Sequence, residues 1–545
     1  MHTVSEDSGL LRNSALMAAG TVTSRITGVI RDMAMTAALG FFIVSDAFSL
    51  GNTLPNIIYI LVAGGTLNAV FIPQLVRHMR DDADNGKAFS DRLLSVVGTI
   101  LLALSALSVL AAPLIVGLYA TSTMPQAEFD LAVAFARLCL PQIFFYGAYT
   151  MLQQVLNARG KFAAAFFAPV ANNLVAIVVF ISFLVVVQPN ADNLTQLTSG
   201  QIWWLGLGST LGVALQALIL FPALLRSGYK FSFRTDWKNS GLGHSARLAK
   251  WTIYLVIANQ IAFAIITRLA TQANVAASKA GEVAIGLTSY QKANLIFILP
   301  HSVITISLVT ALLPQLSRLS HEENFSELGK QVSRATRLVL SLLIPIAGLL
   351  AITGQNIAVL LFGNGVAGAE AANAVGVIVA LFAFGLPAYS VIYVLNRAWF
   401  AMEDTRTPFW IAVGVNVIML IAAVPLFMWA SVNYKVAMFG IGYSIAYVVM
   451  AILAWWYLNR QITTLESSTT LLVTLKLFIS AMLATMVCGF VQNFAPATPT
   501  QLQNLVIVLG LWLLGGVSFV AIANLLRIDE VSQGIRLISA RLRRS

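Results

Sequence analysis

Ser24, Arg25, Arg31 and Asp32 lie in the first long apolar stretch of this chain, and Asp46, Asn52 and Asn56 follow in the second. A guanidinium stays charged and presents a planar fork that matches pyrophosphate or carboxylate oxygens. Two of them beside a carboxylate are therefore equipment for holding an anion, and charge at membrane depth is costly enough to mark function. At about 100° per residue, Thr21, Ser24, Arg25, Gly28, Arg31 and Asp32 share a sector of about 120°, with Ile26, Val29, Ile30 and Met33 outside it. This stripe is expected to face something other than lipid. The competing reading is an internal ion pair between Arg25 and Asp32, seven residues apart on one face, which would neutralise charge without any ligand.

Lys292, beside Gln291 and close to Asn294, is the best cationic candidate of the second half; it either faces a cavity or snorkels outward. Arg137 and Arg268 read as anchors near helix ends, and His301 as a packed histidine or a proton relay. Asn172, Asn173 and Asn416 have the character of interhelical hydrogen-bond glue. In Glu403-Asp404-Thr405-Arg406-Thr407-Pro408, Thr407 is the expected N-cap and Pro408 the first helical residue. Asp404, Arg406, Thr407 and Pro408, with Arg397, are thus a gate or a structural turn. Gly64-Gly65-Thr66 permits close packing or a bend.

These residues must be positioned by membrane helices. The 545 residues are 58% hydrophobic and 10% charged, with a mean hydropathy of +0.82, outside the range of a soluble domain. Apolar runs long enough to cross a bilayer recur from near Leu10 to near Leu526 and are too continuous for barrel strands. They give an all-α polytopic membrane protein of about fourteen spans, centred near Arg25, Leu61, Ala106, Phe144, Val175, Val213, Asn259, Leu299, Leu343, Val379, Met419, Tyr447, Met482 and Leu514. The first run lacks the short core and cleavage site of a signal peptide and is expected to remain as the first span.

The net charge of +11 does not indicate nucleic acid. Nearly all basic residues fall on one side of these spans, in loops such as Arg77 to Arg92, Arg226 to Lys250 and Arg318 to Arg337, whereas the opposite loops carry Lys279 and Lys435. The positive-inside rule then places both termini in the cytoplasm. The basic tail at Arg536, Arg541, Arg543 and Arg544 is a solvated anchor or rests on anionic membrane lipids. The two cysteines, Cys139 and Cys488, sit in apolar runs as small hydrophobes. No Cys/His metal cluster, phosphate-binding loop, HExxH or GxSxG motif occurs, so no metal, cofactor or nucleotide is expected. Energy would come from gradients, membrane potential or a downhill substrate.

An internal repeat supplies the architecture. Pro73-Gln74-Leu75-Val76-Arg77 returns as Pro314-Gln315-Leu316-Ser317-Arg318, Ala148-Tyr149 as Ala388-Tyr389, and Val155-Leu156-Asn157 as Val394-Leu395-Asn396, at a separation of about 240 residues. Six spans separate the copies, so the halves share one membrane orientation, a transporter pattern. The expected organisation is an N-terminal lobe over 1–235, a C-terminal lobe over 236–465, two added helices over 466–527 and a basic tail over 528–545.

Ser24-Arg25-Ile26-Thr27-Gly28-Val29-Ile30-Arg31-Asp32, Ser45-Asp46-Ala47-Phe48 with Leu54-Pro55-Asn56, the Phe71-Ile72-Pro73-Gln74-Leu75 helix end and Asp404-Thr405-Arg406-Thr407-Pro408 resemble the MurJ (MviN) lipid II flippases of the multidrug/oligosaccharidyl-lipid/polysaccharide exporter superfamily. The resemblance runs over nearly the whole chain. It implies alternating-access export of the undecaprenyl-pyrophosphate-linked peptidoglycan precursor from the inner to the outer leaflet of a bacterial plasma membrane, with cell-wall synthesis machinery as a further partner. Family members hold the headgroup in a cationic cavity between lobes, with a groove on the last two helices for the lipid tail; Arg25, Arg31 and Asp46 are the positions carried over. The chain departs from the family where basic residues of the second and eighth helices are replaced by Thr53, Tyr59, Ile60, Leu295 and Ile298, and where a sodium-binding acidic residue of the eleventh is replaced by Asn416. Lys292 is the expected substitute cation.

Two other readings stand beside this one. The same scaffold serves flippases of other polyprenyl-linked glycans and multidrug exporters. A membrane glycosyltransferase would instead need a catalytic carboxylate among Glu128, Asp130, Asp192, Glu282 and Glu370 on the short outer loops.

Overall fold

A computed structural model describes residues 2–64, 78, 82, 84, 86–121, 123–190, 194, 196–236, 250–283, 285–462, 464–496 and 498–531, without the side chains of 2–16, 18, 63, 64 and 252. The helix end at Phe71–Leu75 with its repeat segment to Arg77, Asp192, and the basic tail from Arg536 onward lie outside the described residues. The described chain is all-helical, with no strand among the described residues. Among the described residues, twelve helices are long and apolar enough to cross a membrane. The first two expected spans fall short of that standard for local reasons. Helix α1 (His2–Leu39) carries Arg25, Arg31 and Asp32 in its middle, and α2 (Ile43–Tyr59) is only 17 residues long before it widens into a π turn at Ile60–Gly64. The π turn follows Pro55, whose missing N–H already breaks the hydrogen-bond ladder, and it runs into the first residue of the Gly64-Gly65 pair. Every expected span centre falls in one of these fourteen helical segments.

By compactness the chain forms two units, residues 1–275 with 365–367, and residues 276–364 with 368–545. In the first, α1 and α2 are followed by α3 (Lys87–Leu110), a short α4 (Ala112–Gly117), α5 (Gln126–Cys139), α6 (Gln142–Ala158), α7 (Phe162–Val187), α8 (Ser199–Leu218) and α9 (Leu220–Arg226). Lipid offers no hydrophobic drive between helices, so small residues and polar links set the packing. Gly20 lets α1 approach Phe166 of α7, where a Cβ would lie 2.9 Å from the Phe166 Cβ. Gly51 does the same for α2 against Phe135 of α5, at 2.8 Å. Phe48 of α2 sits edge-on to Phe135 and to Phe180 of α7, with centroids 5.4 and 5.6 Å apart, a geometry favoured by the ring quadrupoles.

Helix α10 (Lys250–Ala280) belongs to this unit as far as Val275. The compact division therefore falls late in α10 instead of in the basic loop before it. Two contacts account for this: Arg268 Nε donates to the Ala120 carbonyl at 2.9 Å, and Asn274 Nδ2 donates to Asp46 Oδ2 at 2.6 Å.

The second unit contains α11 (Leu287–His321), α12 (Phe325–Phe362), α13 (Gly368–Ala383), α14 (Leu386–Ala401), α15 (Arg406–Trp429), α16 (Met438–Ile462), α17 (Ser467–Gln492) and α18 (Gln501–Leu525). Its interior is aromatic: Phe382 of α13 lies 5.1 Å from Phe297, 5.9 Å from Tyr290 and 5.8 Å from Tyr443 by ring centroids. The last two helices pack on α12, where Gly348 faces Thr485 and Gly515 lies against Leu349 and Cys488. Arg337 of α12 pins their ends, with Nη1 2.7 Å from Glu466 and Nε 2.8 Å from Glu530, the second a charge contact out of line for a hydrogen bond.

Candidate functional site

The charged stripe of α1 is held by α7. Arg31 Nη1 donates to Asn173 Oδ1 at 3.2 Å, and Nη2 donates to Asp32 Oδ2 at 3.1 Å. Asn173 is buried and spends its amide nitrogen on α1, donating to the Ser24 carbonyl at 2.9 Å and to Thr27 Oγ1 at 3.0 Å. The approach does not require Gly28 to lack a side chain, since a Cβ there would lie 3.6 Å from Asn173 Nδ2, an ordinary van der Waals contact. One asparagine thus sets the height and rotation of α1 and aims the Arg31 fork.

The ion pair of the first helix is therefore Arg31 with Asp32, not Arg25 with Asp32. At about 1.5 Å of rise per residue, seven residues put Arg25 about 10 Å along the axis from Asp32, too far for a contact, whereas the adjacent arginine curls back to reach it. Arg25 is exposed and, among the described residues, makes no ion pair or hydrogen bond. The stripe consequently holds a compensated pair and one cation with its donors unspent.

The second helix carries polar groups of a different kind. Asn52 Oδ1 accepts from Gln142 Nε2 at 3.1 Å, and the same nitrogen lies 3.2 Å from Thr210 Oγ1, joining α2, α6 and α8. Tyr59 donates to Thr150 Oγ1 at 2.7 Å, and Asn56 is exposed. Asp46 is 5% exposed in the first turn of α2, where the helix dipole favours a carboxylate, and it receives Asn274 of α10. It ties α2 to α10 and is not placed as a partner of the α1 arginines by any of these bonds.

Lys292 lies in the interior of the second unit, 4% exposed; it does not snorkel to a surface. Arg137 and Arg268 are both exposed. His301 is buried between Tyr389 and Tyr393, with Nδ1 2.9 Å from Ser390 Oγ. The Ser390 hydroxyl also lies 3.0 Å from the Leu386 carbonyl, so the ring joins a buried polar contact within this aromatic shell. Asn416 is also buried, at 9%.

The turn before α15 differs from its expected form. The helix starts at Arg406, and the capping side chain is Asp404, whose Oδ1 accepts from the Arg406 and Thr407 N–H groups at 2.8 and 3.0 Å. Thr407 Oγ1 donates to Asp404 Oδ2 at 2.5 Å, so Thr407 is an inner residue of the cap, and Pro408 is the third helical residue. The N-cap residue itself is Thr405, whose side chain makes no cap bond; the Asp404 carboxylate, one residue earlier, has two oxygens and satisfies these orphan donors in its place. Arg397 donates to the Tyr393 hydroxyl and lies over the Tyr393 and Phe400 rings at 4.6 and 5.7 Å.

Of the carboxylates that a glycosyltransferase would draw on, Asp130 sits inside α5 and accepts from Gln126 at 2.9 Å, and Glu282 accepts from the distant Asn433 at 2.9 Å, bonds that serve helix and chain packing. No cluster of three metal-ligating side chains occurs among the described residues. Sequence reasoning did not single out Gln142, Thr210 or Asn274 as positioning residues. Their signal was available, as polar side chains inside apolar runs, but their partners lie tens to hundreds of residues away.

The family model described as lipid II flippase MurJ matches residues 35–507. A probable lipid II flippase MurJ of Rhizobium meliloti (strain 1021) is 29% identical over 452 residues, 82% of this chain and 81% of that one. The lipid II flippase MurJ of Burkholderia cenocepacia is 27% identical over 73% of this chain and 74% of its own. A solved structure of a lipid II flippase MurJ in an inward closed conformation superposes with a TM-score of 0.73 at 19% identity, covering 94% of this chain and 99% of that one. An inward-facing multidrug resistance MATE family transporter of the MOP superfamily gives 0.61 at 15% identity, over 81% and 96%.

Proposed function

From the premise that the chain belongs to the lipid II flippase MurJ family, we propose that it moves lipid II, the undecaprenyl-pyrophosphate-linked peptidoglycan precursor, from the inner to the outer leaflet for cell-wall synthesis. It is a transporter and not an enzyme. The observation that carries this reading is the Arg25 guanidinium, exposed and unspent on the same helix face as the braced Arg31–Asp32 pair. An intramembrane arginine without a carboxylate partner is a costly feature unless an anion completes it, and a pyrophosphate matches its fork. Arg31, oriented by Asn173, supplies the second donor set, and Asp32 keeps that arginine in place between substrates.

In this reading the protein is a multi-pass protein of a bacterial plasma membrane with both termini cytoplasmic, a reading the distribution of lysine and arginine supports. Alternating access comes from two lobes related by the internal repeat, with the α17–α18 pair added to the second. Asp46, Ser24, Asn52, Asn56 and Lys292 remain candidate substrate or gating positions, and Asp404 to Pro408 with Arg397 a structural turn at a helix entry. Anionic lipids and the cell-wall synthesis machinery are proposed partners.

The test is complementation of cells depleted of their own lipid II flippase. The wild-type chain sustains growth, and Arg25→Ala abolishes it at unchanged membrane abundance. Full growth with Arg25→Ala removes Arg25 from the site. Failure of the wild-type chain, stably present in the membrane, redirects the cargo to another polyprenyl-linked glycan.

A further inference from the structure

The first unit contains an apolar cavity of about 280 Å³ away from the charged stripe, walled by α3, α6, α9 and the extended segment 229–236. An engineered apolar cavity of about 150 Å³ takes benzene, so this one has room for about ten to twelve chain carbons. Leu94, Leu102 and Met151, which line it, belong to helices long and apolar enough to cross a membrane, and Leu102, Phe221, Phe231 and Phe233 are exposed at its mouth. Gly98 of α3 lies in its wall, and a Cβ built there meets nothing within 4 Å.

The outer wall is built for its place. The segment 229–236 is stapled to α3 by its backbone: Ser232 N–H donates to Asp91 Oδ1 at 3.3 Å and Arg234 N–H to Ser95 Oγ at 2.9 Å, while Tyr229 donates to Asp91 Oδ1 at 2.6 Å. Alternation along an extended chain then sends Phe231 and Phe233 to one side together. Above them stands a charged rim, in which Lys87 binds Asp91 at 2.7 Å and Arg92 binds Asp236 at 2.6 Å. Arg159 lies over the Tyr229 ring at 4.9 Å, and Lys230 is exposed. Among the described residues here, five cations, Lys87, Arg92, Arg159, Lys230 and Arg234, stand against four carboxylates, Asp82, Asp84, Asp91 and Asp236.

We propose that this cavity is a binding site for one acyl chain of an anionic phospholipid of the surrounding bilayer, with its headgroup on the basic rim. The chain's methylenes fill a space that water cannot usefully occupy, and the excess positive charge selects an anionic over a zwitterionic headgroup. The site is separate from the α1 arginines and does not depend on the identity of the transported cargo.

Native mass spectrometry of the full-length protein in detergent, titrated with dioleoyl phosphatidylglycerol or dioleoyl phosphatidylcholine, tests this. The wild type is expected to retain one phosphatidylglycerol at least fivefold more tightly than phosphatidylcholine. Gly98→Leu, which fills the cavity from a position with open space, weakens that binding event at least tenfold, and Arg92→Gln brings the two lipids to near equality. Undiminished retention by Gly98→Leu, or equal retention of both lipids by the wild type, overturns the proposal. A phosphatidylglycerol with a photoreactive acyl chain gives a readout that needs no variant: labelling of α3, α6 or residues 229–236 supports the site, and labelling confined to other helices sinks it.

Discussion

At the residue scale, Asn173 is the position on which the α1 stripe depends. It accepts from Arg31 and donates to Ser24 and Thr27, so Asn173→Leu removes three bonds and leaves the Arg31 fork half-paired. Leaving buried donors and acceptors without partners costs about 1–3 kcal/mol, and Arg31 itself is 37% exposed, so a loss near the lower end, about 1–2 kcal/mol, is expected. Thermal unfolding of the purified variant measures it. An unchanged midpoint would mean that α1 is held by its apolar packing on α7 alone. The types of these residues were legible in the sequence. The bracing of Arg31 was not, because Asn173 lies 142 residues away and only the approach of α7 brings its amide to the fork.

At the element scale, the segment 229–236 is joined to α3 by side chains that titrate. The Arg234 guanidinium, with bonds of 2.8 and 3.0 Å, and then Arg92, at 2.6 Å, hold the Asp236 carboxyl well below the usual carboxylate range. A depressed folded value contributes stability that is present above the unfolded value and is lost as pH falls through the folded one. The difference in thermal stability between the wild type and Asp236→Asn should therefore be constant above about pH 5 and shrink progressively below it. A difference already gone at pH 6 would show that the exposed pair is screened out. The helices themselves were readable from hydropathy, every expected centre falling inside a helical segment. Their ends were less so, as at α15, because Asp404 and Thr407 are both good caps and the choice rests on how the chain enters from Glu403, a non-glycine residue at φ +58°.

At the scale of the whole molecule, the last two helices are fixed to the second unit through close approaches on α12. A Cβ at Gly515 would lie 2.5 Å from Leu349 Cδ2 and 3.0 Å from Cys488 Sγ. Gly515→Leu is expected to destabilise by about 1–3 kcal/mol through overpacking, read as a lower unfolding midpoint and easier proteolysis between α17 and α18. Gly516→Leu, where a Cβ meets nothing within 4 Å, should leave both unchanged; equal effects would show that the contact is not what holds the pair. Composition and hydropathy alone determined that this is an all-helical, multi-pass membrane protein with about fourteen spans, because a bilayer leaves a long apolar chain few other ways to satisfy its backbone. The same one-dimensional pattern also located the anomalous charges, since a lysine or arginine in such a run stands out without any knowledge of its neighbours. Tertiary structure decided that Asn173 of α7 braces Arg31, that Asp46 receives Asn274 of α10, that Lys292 is enclosed, and where an apolar cavity opens beside a basic rim. Each of these depends on side chains far apart in sequence meeting at distances of a few ångströms, and periodicity carries no information about that.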